Sequence, residues 1–255
     1  MLDFNHRPTF AEQLNGLIDQ ALQVDRQSSP EREYLGASRL GVACARALQF
    51  EYAKAPKDPD AELTGKALRI FQAGHVFEEL AIRWLRLAGL ELFTTKGNRP
   101  GGEQFGFSAA GGRIRGHVDG IIMSAPPALG LAFPMLWECK SLNAKSWKDT
   151  INRGVALSKP VYAAQIATYQ AYMEPSVPGI SKNPALFTAI NKDTAELHQE
   201  LVPFNPGLAQ EASDRAVRVL QATEAHELLP RISTDPEHFE CRFCPWRERC
   251  WRLPS

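Results

Sequence analysis

The sequence lacks any long hydrophobic run and any excess of one charge. No window approaches the roughly 18 consecutive apolar residues that a membrane-spanning helix needs, so a membrane protein is not expected. The first residues carry no basic start followed by an apolar stretch, which argues against a secretory signal and for a cytoplasmic protein. Basic residues number 29 and acidic residues 29, so the formal net charge is +0. This balance does not favour a protein that only coats nucleic acid, although it allows one whose acidic site is offset by a local basic patch.

Cysteine is scarce, and neither an internal repeat nor a nucleotide-binding loop is present. Five cysteines in a chain without an export signal argue against a disulfide framework. The motif G-x-x-x-x-G-K-[ST], which cradles nucleotide phosphates, is missing. What is present is the composition of an ordinary globular protein, with 44% hydrophobic and 23% charged residues. The length of 255 residues suits one large domain.

The hydrophobic spacing switches between helical and strand periods along the chain. Helices are predicted over residues 8–24, 38–52, 64–88 and 160–173, and over about twenty residues from Pro206. Strands are predicted over residues 90–95, 104–108, 113–123, 134–140, 185–191 and 196–202. The order predicts an α/β fold in which a central mixed sheet is flanked by helices. An N-terminal helical region (1–60), a core (61–204) and a C-terminal helix and tail (205–255) are expected to form one integrated domain.

Two acidic residues and a lysine stand at the ends of two predicted strands. Asp119 lies in Gly-His-Val-Asp-Gly, and Glu138 and Lys140 lie in Trp-Glu-Cys-Lys. Side chains two apart on a strand share a face, so Glu138 and Lys140 can converge with Asp119. Two carboxylates suit Mg²⁺ or Mn²⁺, the backbone carbonyl of Cys139 can add a ligand, and a lysine can stabilise charge on a phosphate. The alternative is a same-face charge pair on a surface strand.

Two helical pairs add to this pattern. His75 and Glu78 are three apart on the long helix, so they share a side and can supply a metal ligand and a hydrogen-bond acceptor behind it. The alternative is a capping or core histidine beside a solvated glutamate. Gln165 and Tyr169 are four apart on the helix from Pro160 and can hydrogen-bond a catalytic carboxylate or a DNA backbone. Taken alone, such a pair is common on helices.

The chain resembles the RecB-type branch of the PD-(D/E)xK nuclease superfamily, whose motif stations occur here in order: His75, Asp119, Glu138-x-Lys140, Gln165 and Tyr169. The resemblance implies a restriction-endonuclease-like core and metal-dependent hydrolysis of DNA, often exonucleolytic on single strands or duplex ends. It implies catalytic roles for Asp119, Glu138, Lys140, Gln165 and Tyr169. It also implies metal ligation by His75, Asp119, Glu138 and the Cys139 carbonyl, supported by Glu78.

The remaining cysteines form a second pattern, with Cys241-x-x-Cys244-x5-Cys250 near the C-terminus and Cys44 about two hundred residues earlier. Buried structural cysteines fit poorly with an arginine-rich tail, whereas four thiolates can hold either zinc or an iron–sulfur cluster. The spacing resembles the iron–sulfur nucleases, namely the AddB-type domain and the CRISPR-associated and phage-borne RecB-like exonucleases. That resemblance implies a structural 4Fe–4S cluster that packs the tail on an N-terminal helix. Cys139 is not expected to bind it.

A basic run leads into the helix from Pro160. We expect DNA contacts from Lys145, Lys148, Arg153, Lys159 and Lys192, and base stacking by Trp147 and Tyr162. The alternative for each is an ordinary solvated loop residue. The function expected is a DNA exonuclease in recombination, repair or phage- or CRISPR-related processing, with a possible protein partner from such a pathway. The alternative is a non-catalytic or partner-dependent module that binds DNA or protein on a nuclease fold.

Overall fold

The computed structural model describes residues 7–59, 61–99 and 101–253. Its helices are α1 (Phe10–Ser28), α2 (Ala45–Tyr52), α3 (Gly65–Leu87), α4 (Ala144–Ser158), α5 (Pro160–Met173), α6 (Pro206–Glu224), α7 (Phe239–Arg242) and α8 (Arg247–Arg252). Its strands are β1 (Leu35–Gly36), β2 (Glu91–Phe93), β3 (Gly106–Ala109), β4 (Ile114–His117), β5 (Gly120–Ser124), β6 (Met135–Leu142), β7 (Ala185–Asn191) and β8 (Leu197–Val202). None of the helices in the described ranges is both long enough and apolar enough to cross a membrane.

The strands form two mixed sheets. The larger has the order β2-β5-β6-β7-β8, in which β6 and β7 are parallel and the other pairs antiparallel. The smaller has the order β1-β4-β3, with β1 parallel to β4. The predicted α/β class with a mixed sheet flanked by helices is confirmed, and the smaller sheet is an addition that was not predicted.

The core lies on both faces of the larger sheet, because successive strand residues point to opposite faces. On one face, Leu136 and Phe187 pack in one cluster with Ile166 of α5. On the other, Trp137 packs in a second cluster with Ala81 of α3. Every residue of β7 is buried, as expected for a strand covered on both faces. Helices α3 and α5 therefore cover opposite faces of β6.

The strand predicted over residues 113–123 is in fact two strands that belong to different sheets. Strand β4 pairs with β3 in the smaller sheet, and β5 pairs with β6 in the larger. Between them, the Val118 N–H donates to the Phe105 carbonyl at 3.0 Å, and Asp119 follows. The apolar residues continue across the break, so their spacing could not reveal the change of partner. Asp119 thus lies between two sheets and not at the end of one strand.

Three helix predictions also need correction. The basic segment interpreted as a possible loop is helix α4, which Asn143 caps by accepting a bond from the Ser146 N–H at 2.8 Å. The helix predicted from Ser38 begins at Ala45, and Ser38 lies in a preceding 3₁₀ turn. Helix α1 runs to Ser28, beyond the predicted end at residue 24. By contrast, α5 has the predicted bounds.

The C-terminal tail packs on the N-terminal helix α2, as predicted. The ring of Trp246 lies 6.0 Å from that of Phe50, centroid to centroid, and its indole N–H donates to the Ala55 carbonyl at 2.8 Å. The Asp58 carboxylate accepts bonds from the backbone N–H groups of Glu248 (2.7 Å) and Arg249 (3.0 Å) at the start of α8. The loop after α2 therefore supplies the groups that hold the tail.

Replacing Asp58 with alanine should loosen this contact. Asp58→Ala removes the acceptor for two N–H groups in the first turn of α8, so we expect the free energy of unfolding to fall by about 1 kcal/mol. Denaturant unfolding measures the change. As a control, Asp25→Ala on the exposed surface of α1 should change it by less than about 0.5 kcal/mol. Equal losses in the two variants would contradict a specific role for Asp58.

Candidate active site

The candidate site lies where β6 loses its partner on one side. Strand β5 pairs with β6 only as far as Trp137, whereas β7 pairs with β6 as far as Leu142. The residues of β6 beyond Trp137 therefore have an open edge on the β5 side. Asp119 meets this edge, because its Oδ2 accepts a bond from the backbone N–H of Cys139 at 2.8 Å. The bond brings Asp119 and the Glu138-x-Lys140 segment together.

The carboxylate of Glu138 is fully buried at the centre of this site. Its Oε1 accepts bonds from Gln165 Nε2, at 2.7 Å, and from Lys140 Nζ. Its Oε2 is buried and has no hydrogen-bond partner in the described part of the chain. A buried carboxylate oxygen without a partner is costly, so this atom calls for a ligand.

Lys140 donates to Glu138 and remains charged. About a quarter of its side chain is exposed, and Nζ lies 5.4 Å from the centre of the Tyr162 ring. Burial lowers the pKa of Lys140, but attraction to Glu138 and Asp119 outweighs it, so the pKa lies above its ordinary value. A positive charge is thus available beside the two carboxylates.

Helix α5 positions both residues predicted on it. Gln165 and Tyr169 are buried, and Gln165 donates directly to Glu138. The Tyr169 ring packs edge-on against Phe107 of β3 at 5.9 Å, and a Cβ on Gly116 would lie 2.9 Å from it. Burial and the nearby Glu138 raise the pKa of Tyr169, so the phenol is neutral. Glycine at position 116 lets β4 approach the tyrosine.

Of the two predicted residues on α3, Glu78 lies beside the site and His75 is exposed to solvent. Burial and repulsion by Asp119 raise the pKa of Glu78 to about 7, and Lys140 lowers it in part, so Glu78 lies close to the site. The His75 side chain is 80% exposed, with Nδ1 3.9 Å from Glu78 Oε2. The structure brings Glu78 toward Asp119 and leaves His75 at the rim.

The donor atoms at this edge fit a small divalent cation. The N–H and carbonyl of one strand residue point to the same side, so the Cys139 carbonyl lies on the side of Asp119. Asp119, Glu138 and this carbonyl are all oxygen donors, and Mg²⁺ is commonly held by one or two carboxylates with water completing its shell. Within the described residues, no three His, Cys, Asp or Glu side chains form a group that could hold an ion.

Some of the predicted DNA-contacting residues form ion pairs with a neighbouring carboxylate, and others are exposed without one in the described part of the chain. Lys145 and Lys148 are exposed on α4. Arg153 and Lys159 both pair with Asp149, at 3.4 Å and 3.7 Å, so part of their charge is neutralised locally. Lys145 and Lys148 are thus the members of this run that α4 offers to an anion.

The two aromatic residues predicted to stack on bases are used in packing. Trp147 is partly buried against the core, and its indole N–H donates to the Ala189 carbonyl at 3.0 Å. Tyr162 also packs against the core, and its ring faces Lys140. Both rings are therefore partly covered by the core, and base stacking by them stays a prediction. The sequence analysis did not single out Phe77, another aromatic residue of α3. Phe77 lines a groove together with Lys66 and Arg69 of α3 and with Lys192.

Four of the five cysteines converge at a second place. Cys44, at the start of α2, lines one cavity with the tail residues Cys241, Cys244 and Cys250, and none of the five forms a disulfide. Burial, then the neighbouring thiols Cys44 and Cys250, raise the pKa of Cys241. Thiols are the donor type of zinc and iron–sulfur sites, but within the described residues these four do not form a group that could hold an ion as they stand. Cys139 lies at the other site, as expected.

Comparisons with known proteins show which solved structures share this fold. No protein-family model and no curated protein matches the chain. The crystal structure of a protein named SSO0001 matches with a TM-score of 0.50 and 15% identity, over 97% of this chain and 100% of that one. The alkaline exonuclease LHK-Exo from Laribacter hongkongensis matches with a TM-score of 0.50 and 16% identity, over 77% of this chain and 90% of the exonuclease. The structure of LHK-Exo in complex with dAMP matches with a TM-score of 0.50 and 16% identity, over 76% of this chain and 89% of the exonuclease.

The chain shares its fold with these structures, one of which is an alkaline exonuclease. Its two mixed sheets flanked by helices are consistent with the predicted restriction-endonuclease-like architecture. At these identities the likeness establishes the fold and no more. The RecB-type and iron–sulfur subtype, the metal and the residue roles stay predictions.

The buried carboxylate should make stability depend on pH when metal is removed. Burial and repulsion by Asp119 raise the pKa of Glu138 from 4.5 to about 8, although Lys140 lowers it in part. Between these values the folded chain holds a proton that the unfolded chain has released, so the free energy of unfolding should fall as pH rises from about 5 to 8. In EDTA we expect a loss of about 3–4 kcal/mol.

Glu138→Gln removes this titration and should flatten the dependence, leaving the smaller contribution of Glu78. Denaturant unfolding in EDTA across this pH range measures it. The matched control Glu211→Gln, on the exposed face of α6, should keep the wild-type slope. The same slope in Glu138→Gln and wild type would contradict the assignment.

Proposed function

We propose that this chain is a metal-dependent deoxyribonuclease, and more narrowly an exonuclease. The observation that carries the proposal is the buried Glu138 carboxylate, with one oxygen bonded to Lys140 and Gln165 and the other without a partner beside Asp119. The nuclease-like fold supports it, because one of the similar structures is an alkaline exonuclease.

Each site residue has a proposed role in phosphodiester hydrolysis. Asp119, Glu138 and the Cys139 carbonyl would hold Mg²⁺ or Mn²⁺, which supplies an activated water and neutralises charge on the phosphate. Lys140 stabilises negative charge that develops on the phosphate oxygens. Gln165 orients Glu138 through its hydrogen bond. These roles need no movement of the buried residues.

The residues around this group have supporting roles. Tyr169 keeps the wall behind Gln165 packed, as a neutral phenol. Glu78 accepts hydrogen bonds near Asp119, and His75 would join the ligands by turning inward from the rim.

The proposed substrate is DNA, as single strands or duplex ends. One of the similar structures is the alkaline exonuclease in complex with dAMP, which supports a deoxynucleotide chain as the substrate. Lys145 and Lys148 on α4 and Lys192 after β7 are proposed to contact its phosphates. Recombination, repair and phage- or CRISPR-related processing, with a protein partner, are the proposed settings.

We further propose that Cys44, Cys241, Cys244 and Cys250 hold a 4Fe–4S cluster. The convergence of the four thiols on one cavity supports it. The cluster would act structurally, by fastening the tail to α2 where Asp58 and Trp246 already hold it. Zinc is the alternative, because four thiolates accept either.

The nuclease proposal is tested with end-labelled single- and double-stranded DNA in Mn²⁺, Mg²⁺ or EDTA. Wild type should degrade DNA only with metal. Glu138→Gln removes a ligand charge, and Lys140→Ala removes the positive charge, so each should slow cleavage by roughly 100-fold or more. The control Glu211→Gln should cut at the wild-type rate.

Two results would count against the nuclease proposal. Undiminished cleavage by both site variants would remove its basis. DNA binding without cleavage by wild type would favour the non-catalytic binding module.

The cluster proposal is tested by metal analysis of anaerobically purified protein. Wild type should be brown and contain iron and acid-labile sulfide in equal amounts. Cys250→Ser removes one ligand and should lose both, together with thermal stability, whereas Cys139→Ala should keep the colour. Stoichiometric zinc without sulfide would replace the cluster with the zinc alternative, and no metal at all would refute both.

A further inference from the structure

A groove of about 310 Å³ lies between α3 and the ends of β6 and β7. Lys66 and Arg69 from α3 and Lys192 after β7 line it, and no carboxylate does among the residues that the structure describes. Ser141 and the apolar side chains of Ile70 and Phe77 complete the lining. The groove therefore combines cations, a hydroxyl and an aromatic ring in one concave surface.

The charges of this groove are available to an anion. Lys66 and Lys192 have no carboxylate partner within residues 7–59, 61–99 and 101–253, whereas Arg69 is paired with Asp19 of α1. Both lysines can therefore contact a phosphate without breaking an existing ion pair. Two unpaired lysines on facing elements favour an anion lying between them.

The apolar part of the lining indicates more than a free phosphate. Ile70 is 42% exposed, and Phe77 is partly buried and lines the groove. Nucleobases stack on aromatic rings, and such stacking requires that the base is not already paired and stacked in a duplex. The volume suits a small ligand, since pockets for such ligands begin at about 300 Å³. A phosphate joined to an unpaired base, which is one nucleotide, matches both parts of the lining.

The groove adjoins the candidate active site through two chain neighbours. Ser141 follows Lys140 on β6, and Phe77 precedes Glu78 on α3. Lys140 and Ser141 point to opposite faces of β6. The two faces meet at the open edge of β6, where Cys139 bonds Asp119.

We propose that this groove binds, in single-stranded form, the nucleotide that adjoins the phosphate at the Asp119–Glu138 site. The proposal rests on the proposed nuclease function. Lys66 and Lys192 contact the phosphate of that nucleotide, and Phe77 stacks on its base. The groove thereby selects unpaired ends of DNA and positions the chain across the edge of β6.

Binding is measured apart from cutting, in EDTA, with full-length Glu138→Gln protein and a fluorescein-labelled short oligothymidylate. In that background, Lys66→Ala with Lys192→Ala should weaken binding at least about tenfold. Phe77→Leu, which keeps an apolar side chain in place, should weaken it about fivefold. The matched control is Lys182→Ala, an exposed lysine beyond the other end of β7, which should bind as the parent does. Thermal unfolding confirms that each variant is folded.

Competition experiments separate the two parts of the ligand. dAMP should displace the oligonucleotide at lower concentration than either deoxyadenosine or inorganic phosphate, and Phe77→Leu should weaken dAMP without affecting phosphate. A blunt duplex should bind more weakly than the single strand and should be insensitive to Phe77→Leu.

The outcomes distinguish this inference from the nuclease proposal. Oligothymidylate affinity within about twofold of the parent in the double lysine variant would overturn the groove assignment, even if wild type cleaves DNA. If the groove variants lose oligothymidylate affinity but wild type shows no metal-dependent cleavage, the groove assignment is supported and the nuclease proposal is refuted. Equal sensitivity of the blunt duplex to Phe77→Leu would overturn the single-strand assignment.

Discussion

The fully buried carboxylate of Glu138 is the constraint around which the site is built. Removing a carboxylate from water is costly, so without metal burial raises the pKa of Glu138 to about 8, and the bonds from Lys140 and Gln165 stabilise only one of its oxygens. Strand β6, helix α5 and the segment of Asp119 must therefore keep their positions together. The second oxygen has no such partner within the described residues, which makes a bound cation the natural complement.

The cysteine cavity is linked to this site through packed helices. The tail packs on α2, α2 and α5 both pack on α6, and α5 carries Gln165. A cluster at Cys44 and the tail cysteines would thus stabilise the same helical layer that orients Glu138. In the proposal, cysteines from two distant parts of the chain would bear on the Glu138 site through α6 and α5. It makes the cluster a structural element in the proposal and not a participant in cutting.

The sequence predicts side-chain positions that depend on spacing within one helix or strand. It does not predict positions that depend on which other strand or helix packs against that element. Glu138 and Lys140 are two apart on a strand and Gln165 lies on a helix with clear bounds, so their convergence was predictable. The break at Asp119 was not, because apolar residues continue while the chain changes sheets. The exposure of His75 depends on how α3 packs on the sheet. The inward position of Trp147 depends on helix α4, which was not predicted because its basic residues fitted a solvated loop equally well. No local pattern carries that information.

Anomalous diffraction from crystals grown with Mn²⁺ tests the central claim most directly. The account predicts a manganese peak bonded to Glu138 Oε2 and to an Asp119 oxygen, at about 2.1 Å as for other small hard cations, with the Cys139 carbonyl in its shell. The Gln165 bond to Oε1 should persist. A structure with no peak at Asp119 and Glu138 at saturating Mn²⁺ would contradict the account.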